Sequence, residues 1–160
     1  MPTTQRRLLD RQNARNFALR LISVRQRTTA EMFRRLTSRS SPSIAHSVVA
    51  ELEAQGLLND AIFAAQWRES RERTRPRSAK LVRLELLQRG IDSDLAGIAV
   101  ADMDDEELVQ RAASKYVNRL LGLDKHRFQT RLSGYLLRRG FSASLVYRTL
   151  RTYTQIEMES

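Results

Sequence analysis

The stretch Leu86-Leu87-Gln88-Arg89-Gly90-Ile91 returns fifty residues on as Leu136-Leu137-Arg138-Arg139-Gly140-Phe141, and this recurrence decides the fold. A fainter copy stands fifty residues earlier, where Leu36 and Arg39 keep register and Ser40 takes the place of the glycine. Such a period in a chain of 160 residues reads as three copies of one supersecondary unit. Each copy is too small to bury a good core alone and is expected to pack on its neighbours. The expected product is an elongated array that offers a surface, not a barrel or sheet closed around a pocket.

Working outward from the repeat, apolar residues at helical spacing predict nine helices, three to a unit. Phe17, Leu21 and Val24 mark a first helix over about Arg11 to Val24. Thr28, three residues ahead of Glu31, reads as a capping box opening a second helix that carries Met32, Phe33 and Leu36. Ser41 and Pro42 open a third, with Ile44, Val48 and Leu52 as its buried stripe and Gly56 as its terminator. Asn59 and Asp60 cap a fourth, in which Phe63 and Trp67 face inward and Arg68, Arg71 and Arg75 follow one another on the outer side until Pro76.

A fifth helix from about Ser78 carries Leu81, Leu84 and Leu87 and stops at Gly90, and Asp92 or Ser93 opens a sixth with Leu95 and Ile98. The seventh runs from the acidic cluster at Asp104 to about Leu121, its carboxylates favoured in the first turn by the helix dipole. Phe128, Leu132, Tyr135 and Leu136 form the inward face of the eighth, with Arg127, Arg131 and Arg138 on another face. Ser142 caps a ninth, patterned by Val146, Leu150 and Tyr153 and followed by a polar tail at 156–160. No segment alternates with period two for long enough to be a strand, so the fold class is all-α. The units are residues 1–57, 58–103 and 104–160, the first with an N-terminal extension.

With 41% hydrophobic and 29% charged residues the chain has material for packed cores and too much of it to be disordered. The lack of cysteine excludes disulfides and thiolate metal sites. The apolar runs fall short of a membrane span, and the first residues lack the apolar core of a secretory signal, so no membrane association and a cytoplasmic location are expected. The net charge is +10, and only Lys80, Lys115 and Lys125 of the 28 basic residues are lysines. Genomic base composition alone can produce such arginine usage, so its distribution tells more than its total. Residues 1–57 and 108–160 each carry ten basic groups against four and three acidic ones, while 58–107 carry eight against eleven. A polyanion or an acidic protein face is the expected partner.

Catalytic patterns are not found. His46 and His126 lie 80 residues apart, neither at ligand spacing from a carboxylate pair or a second histidine. The consecutive carboxylates Asp104, Asp105, Glu106 and Glu107 point around a helix and do not converge on a metal. No phosphate loop or nucleophile elbow is present. The expectation is a protein that is no enzyme and holds no cofactor and no metal. Trp67 and Phe63 read as core rather than as a platform for a base. The arginine rows read as a binding face, because an uncompensated row of cations repels itself unless phosphate or an acidic surface answers it.

The run Leu52-Glu53-Ala54-Gln55-Gly56-Leu57-Leu58-Asn59-Asp60-Ala61-Ile62-Phe63-Ala64, the arginines of Arg68-Glu69-Ser70-Arg71, and Pro76-Arg77-Ser78 leading to Leu84-Glu85-Leu86-Leu87-Gln88-Arg89-Gly90-Ile91 resemble the middle of the RecX family of bacterial recombination regulators. The closing Leu136-Leu137-Arg138-Arg139-Gly140-Phe141-Ser142 is similar to that family's third repeat, and Ala14 to Leu36 to its first. The resemblance implies an array of three three-helix repeats that binds the RecA recombinase and lies in the groove of its filament on DNA. It also implies suppression of ATP hydrolysis, strand exchange and the coprotease activity behind the SOS response. Two positions depart from the family's pattern: Asn59 replaces an aspartate, and Ser40 replaces a glycine, so the first unit is expected to turn differently between its second and third helices.

The contact residues expected first are Arg68, Arg71, Arg75, Arg77, Lys80 and Arg83, then Arg127, Arg131, Arg138 and Arg139. DNA is expected as a further partner and a monomer as the free state. The rival readings are a DNA-binding module that places a helix in the major groove and a structural adaptor that joins helical proteins.

Overall fold

Helices begin in this chain wherever a short polar side chain can accept from the otherwise unpaired N–H groups of a first turn. In the computed structural model, which describes residues 8–158 and side chains through Gln155, nine such starts are found among the described residues. The helices are α1 (Arg11–Val24), α2 (Thr29–Thr37), α3 (Pro42–Ala54), α4 (Asp60–Thr74), α5 (Ala79–Gln88), α6 (Ser93–Val100), α7 (Asp105–Val117), α8 (Lys125–Arg138) and α9 (Ala143–Met158). Their caps are Asp10, Thr28, Ser41, Asn59, Ser78, Asp92, Asp104 and Asp124, with Ser142 Oγ accepting from Leu145 at the ninth. The box at Thr28 is half made: Thr28 accepts from the Glu31 N–H, but the Glu31 carboxylate turns to Arg25 and Arg27.

The most extensive helix packing falls within triplets, α1–α3, α4–α6 and α7–α9. Each triplet has its own core. The repeat fixes which face of each second helix is buried: Met32 and Leu36, Val82 and Leu86, Leu132 and Leu136 occupy equivalent positions at successive intervals of fifty. The chain is therefore an all-α tandem array of three three-helix units.

Five details of the helical reading are corrected. On α5 the core takes Val82 and Leu86, while Leu84 is exposed; apolar residues run nearly all round this helix, so spacing alone does not choose its face. On α6 the buried residues are Ala96 and Val100, and Ile98 is exposed. On α1 the small Ala14 and Ala18 are fully buried, Phe17 and Leu21 pack only partly buried against the core, and Val24 at the helix end is exposed. The seventh helix stops at Val117, and the chain turns through Gly122 with Leu121 exposed. At the other end α9 continues to Met158, through the first part of the stretch read as a polar tail; residues 159 and 160 lie outside the described residues.

One device joins the units, and it is used twice. At the first junction the start of α2 meets the turn after α5: Thr28 Oγ1 donates to the Arg89 carbonyl at 2.9 Å. The Thr29 N–H and hydroxyl donate to the two oxygens of Asp60 at 2.9 and 2.8 Å. At the second junction the start of α5 meets the turn after α8: the Ser78 N–H donates to the Arg139 carbonyl at 3.0 Å and the Ala79 N–H to Asp105 at 2.8 Å. Both turns hold a glycine at positive φ, +82° at Gly90 and +87° at Gly140. A Cβ on Gly90 would collide with that of Ala30, and one on Gly140 with Ser78 and Leu81. Glycine is needed here both for the left-handed backbone and for the closeness of the preceding unit.

The second junction has further ties. Arg111 and Lys115 of α7 donate to the Glu72 and Arg73 carbonyls in the last turn of α4, at 2.7 and 3.2 Å, as cations near a helix C-terminus do. Met103 packs against both the second and the third core. In the first unit the corresponding Arg39 carbonyl accepts at 2.8 Å from Leu9, in the segment ahead of α1. Ser40 is buried and donates to the Leu36 carbonyl, and no non-glycine residue among those described has positive φ. The first unit thus turns differently between α2 and α3, as Ser40 implies.

Candidate cationic binding face

The residue ahead of each turn has a second role. Its carbonyl accepts from the preceding segment while its guanidinium lies on an aromatic ring of its own unit: Arg39 over Phe17 at 4.6 Å, Arg89 over Trp67 at 3.9 Å, Arg139 over Tyr135 at 4.9 Å. Phe17 and Trp67 are themselves fifty residues apart on the first helices of their units; in the third unit the first-helix Tyr116 stacks on Tyr135 at 4.0 Å. A guanidinium held flat on a ring is fixed in place while its N–H edges stay able to donate. Trp67 carries a second cation, Arg71 at 4.3 Å, and stacks on Phe63. It is accordingly a half-buried support for arginines, not an open platform for a base.

These arginines form a seam across the junctions. Burial, then the charges of Arg25 and Arg71, hold the Arg89 guanidinium below its ordinary pKa. Burial, then Arg71, Arg139 and Arg75, do the same to Arg77. Cations of all three units therefore feel one another: Arg25 from the first, Arg71, Arg75, Arg77 and Arg89 from the second, Arg139 from the third. The carboxylate at its centre is Glu85, which accepts from the Trp67 indole at 2.8 Å and from Arg71 at 2.9 Å and pairs with Arg77. Arg77 Nε is buried and has no hydrogen-bond partner, so Glu85 compensates this group only in part.

The ten arginines and lysines singled out from the sequence fall into several places. Arg71, Arg75, Arg77 and Arg139 belong to the seam. Arg68 does not stand with them on an outer row: it turns to α6, donating to the Ala99 carbonyl at 3.1 Å and pairing with Glu72 and Asp102. Against the burial that opposes its charge, those two carboxylates hold Arg68 above its ordinary pKa. Three residues leave Arg68 and Arg71 offset by about 60° around the helix axis, and α4 packs on both α5 and α6, so each arginine turns to a different neighbour. Arg83 donates to Ser93 at 2.8 Å. Lys80 is exposed beside the second junction, and Arg127, Arg131 and Arg138 are exposed on α8, where Arg127 approaches Asp124 at 3.4 Å.

Arg25, Arg34, Arg35 and Arg89 were not singled out. The repeat holds the signal that would have found two of them: Arg25 and Arg75 are register partners that both cap first helices, and Arg89 matches Arg139. The acidic run has separate duties, Asp104 capping α7, Asp105 holding Ala79, and Glu106 pairing with Arg148 at 3.0 Å. Among the described residues no three histidine, aspartate or glutamate side chains gather as a metal site, and no helix is long and apolar enough to cross a membrane.

Comparison with known proteins matches this triplet architecture piece by piece. Three family descriptions fit consecutive segments: "RecX, first three-helix domain" over residues 14–52, the second over 59–100 and the third over 104–150. The regulatory protein RecX of Mycobacterium avium is 37% identical over 155 residues, spanning 92% of this chain and 88% of that protein. That of Streptomyces coelicolor is 31% identical over 152 residues, spanning 92% and 81%. The crystal structure of RecX from Lactobacillus salivarius superposes with a TM-score of 0.75 at 24% identity, over 91% of this chain and 97% of that one, a likeness of fold. The chain, with its three units in this order, belongs to the RecX family of regulatory proteins.

Proposed function

We propose that this chain binds the RecA recombinase assembled on DNA and slows its ATP turnover, and with it strand exchange and coprotease activity. The observation that carries the reading is the arginine seam crossing both junctions, in a chain of the RecX family. A row of cations spread over three linked units fits a partner that repeats along its length, such as a helical filament of subunits on a polyanion. Contact with more than one subunit at a time restrains the relative movements that nucleotide turnover requires, and several weak contacts on one linked array add up to strong binding. The groups free to make such contacts are the exposed ones: Arg75, Lys80, Arg127, Arg131 and Arg138. Arg71, Arg77 and Arg139 present only those donor edges left free by their own partners.

The test is inhibition of a recombinase ATPase on single-stranded DNA. Arg75→Glu, Lys80→Glu and Arg138→Glu together change three exposed side chains at and beside the second junction, and the triple variant is expected to fold and to lose most of its inhibition. Equal inhibition by parent and variant would sink the assignment of these groups. Inhibition by neither protein, together with tight binding to naked duplex whose affinity falls steeply with salt, would replace it with the DNA-binding module.

A further inference from the structure

Between the first and second units lies a cavity of about 600 Å³ whose walls come from both. Arg25, Arg34 and Arg35 of the first unit and Arg71 and Arg89 of the second line it. It also contains two carboxylates, leaving an excess of three positive charges, and both carboxylates are already engaged. Glu31 accepts from Arg25 at 2.6 and 3.1 Å and from Arg27 at 2.7 Å; Glu85 is held by Trp67, Arg71 and Arg77. Arg34, Arg35 and Arg89 have no carboxylate partner among the described residues. The Arg89 guanidinium lies on the Trp67 ring at 3.9 Å, where burial and then the charges of Arg25 and Arg71 weigh against its own charge.

The chemistry of the missing counter-ion follows from this count. A carboxylate supplies one negative charge, whereas a phosphate monoester supplies about one and a half to two, and guanidinium forks match phosphate oxygens two at a time. A nucleic-acid strand spreads one charge per nucleotide along its length, while these arginines surround a single cavity. We infer that the junction cavity binds a compact phosphate polyanion, a short inorganic polyphosphate or the tail of a nucleoside triphosphate, held by arginines of two units at once. Such a ligand ties the first unit to the second where the direct contacts are sparser than at the second junction. This inference stands independently of the recombinase reading.

The experiment is calorimetric titration of the full chain with sodium tripolyphosphate, with ATP, and with an oligothymidylate of matched charge, at constant physiological ionic strength. Saturable binding of one tripolyphosphate per chain is expected. The Arg34→Gln/Arg35→Gln variant, whose side chains are exposed, is expected to weaken it by at least about tenfold, and Arg119→Gln, an exposed site on the third unit, to leave it unchanged. Tighter binding of ATP than of tripolyphosphate identifies a nucleotide as the source, and the reverse identifies inorganic polyphosphate. Absence of saturable binding, equal weakening by Arg119→Gln, or binding of the oligonucleotide in preference to both phosphates overturns the inference. Thermal unfolding of both variants verifies that the loss is not one of folding.

Discussion

Replacing Gly90 by alanine tests the junction device directly, because the chain contains its own control. Gly56 and Gly90 both end helices at positive φ, +73° and +82°. A Cβ at Gly56 meets nothing within 4 Å, whereas one at Gly90 runs into the Cβ of Ala30 in the neighbouring unit. Gly56→Ala therefore bears only the left-handed backbone penalty of about 1–2 kcal/mol. Gly90→Ala bears that penalty and an overpacking cost of about 1–3 kcal/mol, unless the first unit swings away and abandons the junction instead. Urea unfolding followed by Trp67 fluorescence measures the two costs, and each kilocalorie corresponds to roughly 2–4 °C of melting temperature in a chain of this size. Hydrogen exchange at the Thr29 amide, which is bonded to Asp60 across the junction, reports whether the units have parted. Gly90→Ala is expected to cost the more of the two and to speed exchange at Thr29; Gly56→Ala is expected to leave that amide protected. Equal costs with Thr29 unaffected would refute the claim that the glycine is there for the neighbouring unit.

Two further outcomes follow from the ion pairs. Glu85→Gln keeps the shape of a mostly buried side chain but removes the charge shared by Arg71, Arg77 and the Trp67 indole, so it is expected to cost about 2–4 kcal/mol and to shift Trp67 emission; a cost under about 0.5 kcal/mol would mean that the cluster is not a network. Acid is expected to destabilise the chain. Burial alone would raise the Glu31 carboxyl, but the hydrogen bonds and charges of Arg25 and Arg27 outweigh it and hold it below the usual range. Glu51 is held down by Arg15 and Arg11, and Asp102 by Arg68. A carboxylate with a depressed folded pKa contributes stability above its unfolded value, about 4.3 for glutamate, and loses it as pH falls through the folded one. The urea midpoint should thus hold between about pH 7 and 5 and fall below that, with a shallower fall in Glu31→Gln; a midpoint that rises on acidification contradicts this.

Most of the helices were legible because the signals are local. Thr28, Ser41, Asn59, Ser78, Asp104 and Ser142 each accept from the first turn they precede, which a single sequence can show. Which face of α5 is buried was not, since Leu81, Val82, Leu84, Leu86 and Leu87 surround the helix; the answer lies in register with Met32, Leu36, Leu132 and Leu136. The arginines were legible as a class and not as a site. Arg68 and Arg71 look alike in a row, yet one serves α6 and the other joins the seam, because which neighbour flanks each side of α4 is a tertiary fact. Asp60 and Asp105 look like ordinary first-turn carboxylates, and only the assembled array shows that each also holds the start of another unit.

Ser40 shows how far a repeat can be read when its departures are taken with its neighbours. At Gly90 and Gly140 the start of another unit's second helix presses on the turn, and no side chain fits. At the first turn, among the described residues, the Arg39 carbonyl is met by the backbone N–H of Leu9 in place of a helix start. The room this leaves admits a side chain, the backbone has no need of positive φ, and the Ser40 hydroxyl fills the space by bonding the Leu36 carbonyl at 2.8 Å. The arginine persists in all three copies because its cation–π contact is internal to each unit, whereas the glycine persists only where a unit packs on it. The two halves of the Arg-Gly pair thus answer to different constraints, one to the unit and one to the array.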